Sequence, residues 1–524
     1  PHCWRCKHPI IFRATPQWFC SVDSFKEEAA AACDSVRWVP GWGEDRIKSM
    51  IRERADWCIS RQRRWGLPIP VFYCSDCGKP VCNDETITAV SSLFGEKGSN
   101  AWYELEAKDI LPTGFTCPHC GQSTGFTKEE DTLDGWFDSG STHFASMQKD
   151  QGFWPATVYM EGLDQYRGWF QSSLLTAVGA LGQGAPFKEC VTHGWTVDGE
   201  GKAMHKSLGN GVDPADIFKK YGADLIRLWA GSADYHVDVR CSDSIFKQLS
   251  QSYLKFRNTA RYCLGNLDGF DPNRLVAPQD MLELDRWAVT KLNRLIRRCF
   301  AAYNEYEFHS VSHAINDFCV VDLSSFYLDI IKDRLYCEEK DGLSRRSAQT
   351  ALFLILDTIT KIFAPILAFT CDEIWLAMAH REGDDPRNIL LNQMNKPFTD
   401  YALDNAAMDR WERIIQVRDG VNAALEAARN EKKVGKSLEA GISLTVPDSD
   451  AFLAEMDPGE LADLLIVSQA EVKTGGELAV SVSPAAGEKC ERCWKHHLKV
   501  GEDKNHPALC PRCARAVAAL DIGE

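Results

Sequence analysis

Ten of the 21 cysteines fall into five Cys-x-x-Cys pairs, the commonest way for a chain to offer thiolates to a metal. The densest case is Cys490-x2-Cys493-x16-Cys510-x2-Cys513. Four thiolates at that separation surround one tetrahedral Zn²⁺ and leave no position for water or substrate. Such a site is structural, and its binding energy becomes folding energy for a unit too small to fold alone. His496, His497 and His506 are alternative ligands, although the quartet is complete without them. A second possible zinc quartet is Cys74, Cys77, Cys117 and Cys120, with Gly78 and Gly121 directly after its pairs, as knuckle turns prefer. Cys3-x2-Cys6 has no partner pair nearby and reads equally as half of a metal site or as two free thiols. In a chain of 524 residues this cysteine content points to metal in a reducing compartment, the cytoplasm, rather than to a disulfide scaffold.

Three further segments carry groups suited to a phosphorylated ligand. Gly201 to Asn210 is a Gly-bounded loop in which Lys206 would set an ammonium charge against phosphates. In Glu161-Gly162-Leu163-Asp164-Gln165-Tyr166-Arg167-Gly168-Trp169-Phe170, Glu161, Asp164 and Gln165 would hold an ammonium group and sugar hydroxyls, and Gly162 lets a ligand approach the backbone. Residues 131–141 are similar, and Trp136 with Trp169 would build a small apolar pocket. His193-Gly194 leads into the loop. By residue type alone, a solvated strand-to-helix turn and plain core tryptophans explain these segments as well. Net charge is −15, so RNA contact falls to local patches. Arg61, Arg63 and Arg64 flank Trp65, and Arg294 and Arg298 belong to an acid-free stretch at 286–304.

Several kinds of element must position these groups, and the length predicts three or four domains. Residues 1–57 read as short β-like pieces, including Ile10–Arg13 and Val36–Pro40. Residues 58–245 read as an α/β sheet domain, with strand-like runs such as Thr157–Met160 and an inserted knuckle at 71–125. From 246 to 400 the apolar spacing turns helical, as at Trp287, Leu292, Leu295 and Ile296, and Pro365 ends or bends a helix. Residues 401–485 form a junction with a helix over 406–431 and strands at 442–446 and 478–482. The cysteine unit at 486–524 closes the chain. No apolar run is long enough to span a membrane. The start at Pro1, with no initiator Met, reads as a chain cut from something longer.

Taken in order, the motifs resemble the bacterial isoleucyl-tRNA synthetases over essentially the whole chain. The carriers are His2-Cys3-Trp4-Arg5-Cys6, Phe12 to Phe19, Trp57 to Arg63, Trp136 to Thr142, Glu161 to Phe170, the loop at 201–210, Ser325 to Asp329 and the terminal cysteines. The loop is similar to the Lys-Met-Ser-Lys-Ser loop of class I aminoacyl-tRNA synthetases, with Ala203-Met204-His205-Lys206-Ser207 in its place. The resemblance implies the second half of a Rossmann-like α/β catalytic domain, then an α-helical anticodon-binding bundle and a small C-terminal zinc unit. It implies ATP with Mg²⁺, L-isoleucine and tRNA(Ile) as substrates, a monomer, and isoleucine–tRNA ligase activity. Glu161 would contact the isoleucyl-adenylate beside Gly162, Asp164, Gln165, His193 and Gly194. Trp136 and Trp169 would line the isoleucine pocket, Lys206 would bind ATP, and Cys490, Cys493, Cys510 and Cys513 would hold Zn²⁺. The family's His-x-Gly-His element is absent from this sequence and is expected upstream of Pro1, so the chain alone should neither activate nor edit. Ala203 and His205 depart from the family loop, and Lys202 stands one residue early. The alternative is a tRNA-binding paralogue without catalysis.

Overall fold

The computed structural model describes residues 1–3, 6–123, 125–204 and 209–520. The chain divides into two compact units, Pro1–Trp195 with Tyr235–Asp238, and Thr196–Asp234 with Val239–Glu524.

In the first unit, strands β1 (Arg37–Val39), β2 (Ala156–Gly162) and β3 (Phe187–His193) lie parallel in the order β1-β3-β2. The register sets His193 opposite Gly162 and Thr192 opposite Glu161. Trp38, Phe187, Cys190 and Phe170 pack about this sheet, because a parallel sheet is stable only when covered. Helix α1 (Gly43–Arg52) turns Ile47 and Ile51, one helical turn apart, into the same core. Helices α2 (Gly135–Gly140) and α3 (Trp169–Leu175) pack on one another. Gly140 permits the contact, since a Cβ there would stand 2.8 Å from the Ser172 carbonyl carbon. The knuckle has three short antiparallel strands, Phe72–Cys74, Pro80–Val81 and Phe126–Lys128, and a core of its own around Phe72, Trp102, Ile110 and Phe115.

Ile10–Arg13, expected to be β-like, forms no strand, and Ile11 and Phe12 are almost fully exposed. Without a neighbouring strand to accept its hydrogen bonds, β propensity alone does not hold the segment extended in a ladder.

The second unit is built on long helices, α4 (Asp243–Asn266), α5 (Glu283–Asn304) and α6 (Leu343–Phe363). Helix α5 buries Trp287, Leu292, Leu295 and Ile296, and α6 ends two residues before Pro365. The unit begins at Thr196, well before the change of pattern at 246. Helix Ala223–Ser232 supplies Leu225 and Leu228 to the bundle core. Buried Asp224 caps helix Ala368–Ala377, accepting from the Thr370 amide at 2.7 Å. Such long-range packing leaves no trace in local periodicity. Helix α7 (Asn405–Asn430) precedes a sheet of β4 (Ala440–Val446), β5 (Gln469–Thr474) and β6 (Ala479–Pro484), with β4 in the centre. Strand β5, parallel to β4, has no counterpart in the sequence reading. Among the described residues no helix is long and apolar enough to cross a membrane.

Candidate functional site

The C-terminal ends of β2 and β3 gather most of the first unit's predicted site residues. Gly162 and His193 are register partners, and His193 Nδ1 is 2.8 Å from the Gly194 carbonyl. A Cβ on Gly162 would meet Asp164 Oδ1 at 2.9 Å, so the glycine makes room for the turn carrying Asp164 and Gln165. Gln165 donates to Asp164 Oδ2 at 3.1 Å and accepts the Trp169 amide at 3.0 Å, which fixes the start of α3. Gly168 is forced by its neighbours: a Cβ would lie 2.5 Å from Gln165 Oε1 and 2.9 Å from the Trp136 ring. Gly194 likewise lets segment Tyr235–Asp238 pass, with its amide on the Tyr235 carbonyl at 2.8 Å. Glu161 and Asp164 are exposed at the strand ends.

The two tryptophans differ. Trp169 is stacked on Tyr159 with ring centroids 4.0 Å apart and 9° between planes, and its indole donates to the Ser139 carbonyl at 2.9 Å. Trp136 is 44% exposed. Its position is set by Asp134, a buried carboxylate that the sequence reading did not single out. Asp134 caps α2 and accepts from the Trp57 indole at 2.9 Å, and Arg61 pairs with the same oxygen at 2.9 Å. Arg61 also donates to the Cys58 and Ser60 carbonyls at 2.7 Å. Its guanidinium is therefore already engaged by protein partners on a half-exposed side chain, whereas Arg63 and Arg64 are exposed. A cavity of about 280 Å³ opens here between Trp57, Trp136, Arg54 and Arg167. Behind α2, His143 is buried, and desolvation lowers its pKa to about 4. Its Nδ1 accepts from the Trp154 indole at 3.3 Å, so the neutral ring carries its proton on Nε2, 3.2 Å from the Thr176 hydroxyl. Nothing in the local spelling marks His143 as buried.

In the second unit the loop after Val197 is pinned at both ends by Asp198. Its carboxylate accepts the Glu200 amide at 3.0 Å, the Lys202 amide at 2.8 Å and the Asn210 side chain at 2.8 Å. Asn210 donates also to the Ala203 carbonyl at 3.1 Å. The Asn210 and backbone donors hold the Asp198 carboxyl below its ordinary range. Lys202, one residue before the loop position that Ala203 fills, is exposed and paired with Glu200 at 2.7 Å. Met204 packs at the edge of the bundle core. His205, Lys206 and Ser207 lie outside the described residues.

Both quartets are assembled. Within each, the four sulfurs lie within 4.8 Å of one another. Thiolates about 2.3 Å from one tetrahedral Zn²⁺ stand about 3.8 Å apart. The Cys74–Cys120 and Cys77–Cys117 sulfurs are each separated by 3.7 Å and Cys493–Cys510 by 3.9 Å, so both donor sets fit the ion. A shared turn shapes them: the amide four residues after the first cysteine returns to its carbonyl, at 2.8 Å for Gly78 and Gly121 and 2.9 Å for Trp494. All three residues have positive φ. Lys7 closes the same turn on Cys3 at 2.9 Å, also with positive φ. No other thiol pair joins Cys3 and Cys6 in a metal-sized group among the described residues. On α5, Arg294 and Arg298 are exposed, while Arg286 donates to the Tyr401 and Ala402 carbonyls.

Comparison with known proteins gives three family matches: tRNA synthetases class I (I, L, M and V) over residues 6–242, the anticodon-binding domain of tRNA ligase over 285–444, and the zinc finger found in FPG and IleRS over 487–516. An isoleucine–tRNA ligase of Caldanaerobacter subterraneus is 50% identical over 98% of this chain and 56% of its own length. One of Moorella thermoacetica is 50% identical over 99% of the chain and 57% of its length. The chain thus spans a little over half the length of these relatives. Among solved structures, a leucyl-tRNA synthetase–tRNA–LeuAMS complex from Agrobacterium radiobacter matches 82% of this chain and 46% of its own, with TM-score 0.50 and 17% identity. Methionyl-tRNA synthetase of Mycobacterium tuberculosis with methionyl-adenylate matches 72% of this chain and 66% of its own, with TM-score 0.52 and 16% identity. These two likenesses concern the fold.

Proposed function

The chain belongs to the class I tRNA synthetases, and on that premise we propose that it contributes to ATP-dependent activation of L-isoleucine and its transfer to tRNA(Ile) in the cytoplasm. In the first step the amino-acid carboxylate attacks the α-phosphate of ATP, supplied with Mg²⁺, and pyrophosphate leaves. In the second a terminal ribose hydroxyl of the tRNA attacks the acyl carbon and AMP leaves. The observation that supports this most is the strand-end arrangement, where Gly162, Gly168 and Gly194 each stand where a side chain would collide with its neighbours. They let the turns at the ends of β2 and β3 pack closely, at the strand ends where open α/β sheets bind ligands. Exposed Glu161 and Asp164 would meet the ammonium group and ribose of the adenylate, with Gln165, His193 and Gly194 beside them. Trp136, held by Asp134, would form one wall of the isoleucine pocket. Trp169, already stacked on Tyr159, would give it a rigid floor.

Little covalent work falls to the protein, so catalysis rests on positioning and charge. Lys206 would carry the charge against the ATP phosphates, within the loop Ala203-Met204-His205-Lys206-Ser207. Arg63 and Arg64, with Arg294 and Arg298 on the open face of α5, are the tRNA phosphate contacts, and Arg61 supports them through its protein partners. Zn²⁺ at each quartet would supply structure and no chemistry, and the protein would act as a monomer.

Calorimetry with a non-hydrolysable isoleucyl-adenylate analogue, on the protein with its native flanking sequence, tests the reading. Glu161→Ala should weaken binding by roughly 1.5–3 kcal/mol, the value of a hydrogen bond to a charged group. Equal affinity for isoleucyl and leucyl analogues, or no effect of Glu161→Ala, would reject it.

A further inference from the structure

Cys337 ends helix Lys332–Cys337, 153 residues before Cys490 in the sequence. Its buried side chain joins Cys490, Cys493, Cys510 and Cys513 in one cluster, edged by Val500 and Leu509. The thiol is 3.8 Å from the Arg492 carbonyl and interacts with the side chain of Cys513. Polar contacts hold it there. Arg492 donates to the Cys337 carbonyl at 2.9 Å and to that of Tyr336 at 3.4 Å. Arg512, next to Cys513, pairs with Asp333 at 2.9 Å and with Glu338 at 3.2 Å. The other buried cysteines of the bundle, Cys263, Cys299, Cys319 and Cys371, lie in its apolar core. Cys337 packs instead against the four terminal thiols. A fifth thiol therefore packs beside a four-sulfur group that already fills the four positions of a tetrahedral ion.

We propose that Cys337 is a reserve metal ligand that replaces Cys513 on the ion at the terminal quartet. This rests on the reading that Cys490, Cys493, Cys510 and Cys513 hold zinc. In the exchange the metal–sulfur bond to Cys513 breaks and one to Cys337 forms, and the Cys337 S–H proton passes to the departing Cys513 thiolate. Where Cys513 is missing, that proton goes to solvent. The swap needs no oxidant, and it ties metal retention in the terminal unit to its seat on helix Lys332–Cys337.

The test uses the full chain, with the knuckle pairs replaced by serine in every variant so that only the terminal site reads out. It is loaded with Co²⁺, whose thiolate charge-transfer absorption counts sulfur ligands, and Zn²⁺ affinity is measured by chelator competition. Parent and Cys337→Ala should both show four thiolates. Cys513→Ala should keep four, because Cys337 fills the gap, whereas Cys337→Ala/Cys513→Ala should show three and bind zinc at least 10- to 100-fold more weakly than Cys513→Ala. Cys490→Ala, which leaves Cys513 in place, should fall to three with Cys337 present. Identical cobalt spectra and zinc affinities for Cys513→Ala and the double variant would overturn the proposal. So would equal unfolding of the two, since a ligating Cys337 must separate them. A parent chain that binds no metal at this site would instead overturn the zinc reading.

Discussion

The two cysteine quartets have similar sulfur geometry and different surroundings. The knuckle quartet is partly open, with Cys120 exposed and Cys77 half-buried, and beside it lies an apolar core built on Phe72, Trp102, Ile110 and Phe115. The terminal quartet is buried at all four positions, and the cluster it belongs to contains only cysteines, with Val500 and Leu509 packed alongside. Where apolar side chains already bury one another, a metal adds a clip. Where they are nearly absent, the metal is the core, because so small a unit has too little surface to bury. The turns differ in the same sense. Gly78 and Gly121 take positive φ without a steric penalty, whereas Trp494 takes it with an exposed indole.

The largest effect should separate the quartets outright. Cys490→Ser, or chelation of the ion, should release residues 486–520 as an unfolded, protease-sensitive tail, a loss on the order of 10 kcal/mol of metal-coupled folding energy. Cys120→Ser should leave the knuckle folded. Hydrogen exchange resolved by segment measures both, and equal loss of protection in the two units would break the comparison. Next in size, Trp102→Ala should destabilise the knuckle by about 3–5 kcal/mol as a large buried ring is lost. It should also make knuckle folding newly dependent on zinc, visible as a shift of its unfolding midpoint on adding chelator. A midpoint already equally chelator-sensitive in the parent would show that the apolar core carries little.

The smallest effect sharpens the contrast between turns. Gly78→Ala places a Cβ at φ +69° and should cost the knuckle about 1–2 kcal/mol. Trp494→Gly removes the same strain from the terminal turn and should tighten zinc slightly, by less than about tenfold. Chelator competition on both variants checks the signs. A weakening on Trp494→Gly would mean that the indole, with the Lys489 ammonium 6.0 Å from its ring centroid, contributes more than the strain removes.

The spelling of the chain carried the two cysteine quartets because the pairs are local in spacing and the knuckle turn is made within six residues. It carried the strands at 157–160 and 442–446, the helical spacing at 287–296 and the helix expected over 406–431 for the same reason: apolar period is local. Gly162 stood out as a place where a ligand could approach the backbone, but what the glycines at 162, 168 and 194 avoid, Asp164, the Trp136 ring or the Val237 backbone, was not visible. Ile10–Arg13 misled because strand propensity needs a neighbour to act on.

The sequence by itself determined which groups this protein can offer: the thiols in pairs, the carboxylates and amide of 161–165, the basic face of α5, and membership of a synthetase lineage. Only the tertiary structure decided which of them work together. Asp134 joins Trp57, Arg61 and Trp136, Asp198 closes on Asn210, and Cys337 reaches a quartet 153 residues away. The physical reason is that burial and hydrogen-bond satisfaction are settled by whatever packs alongside, and a buried carboxylate or thiol takes its role from partners distant in the chain.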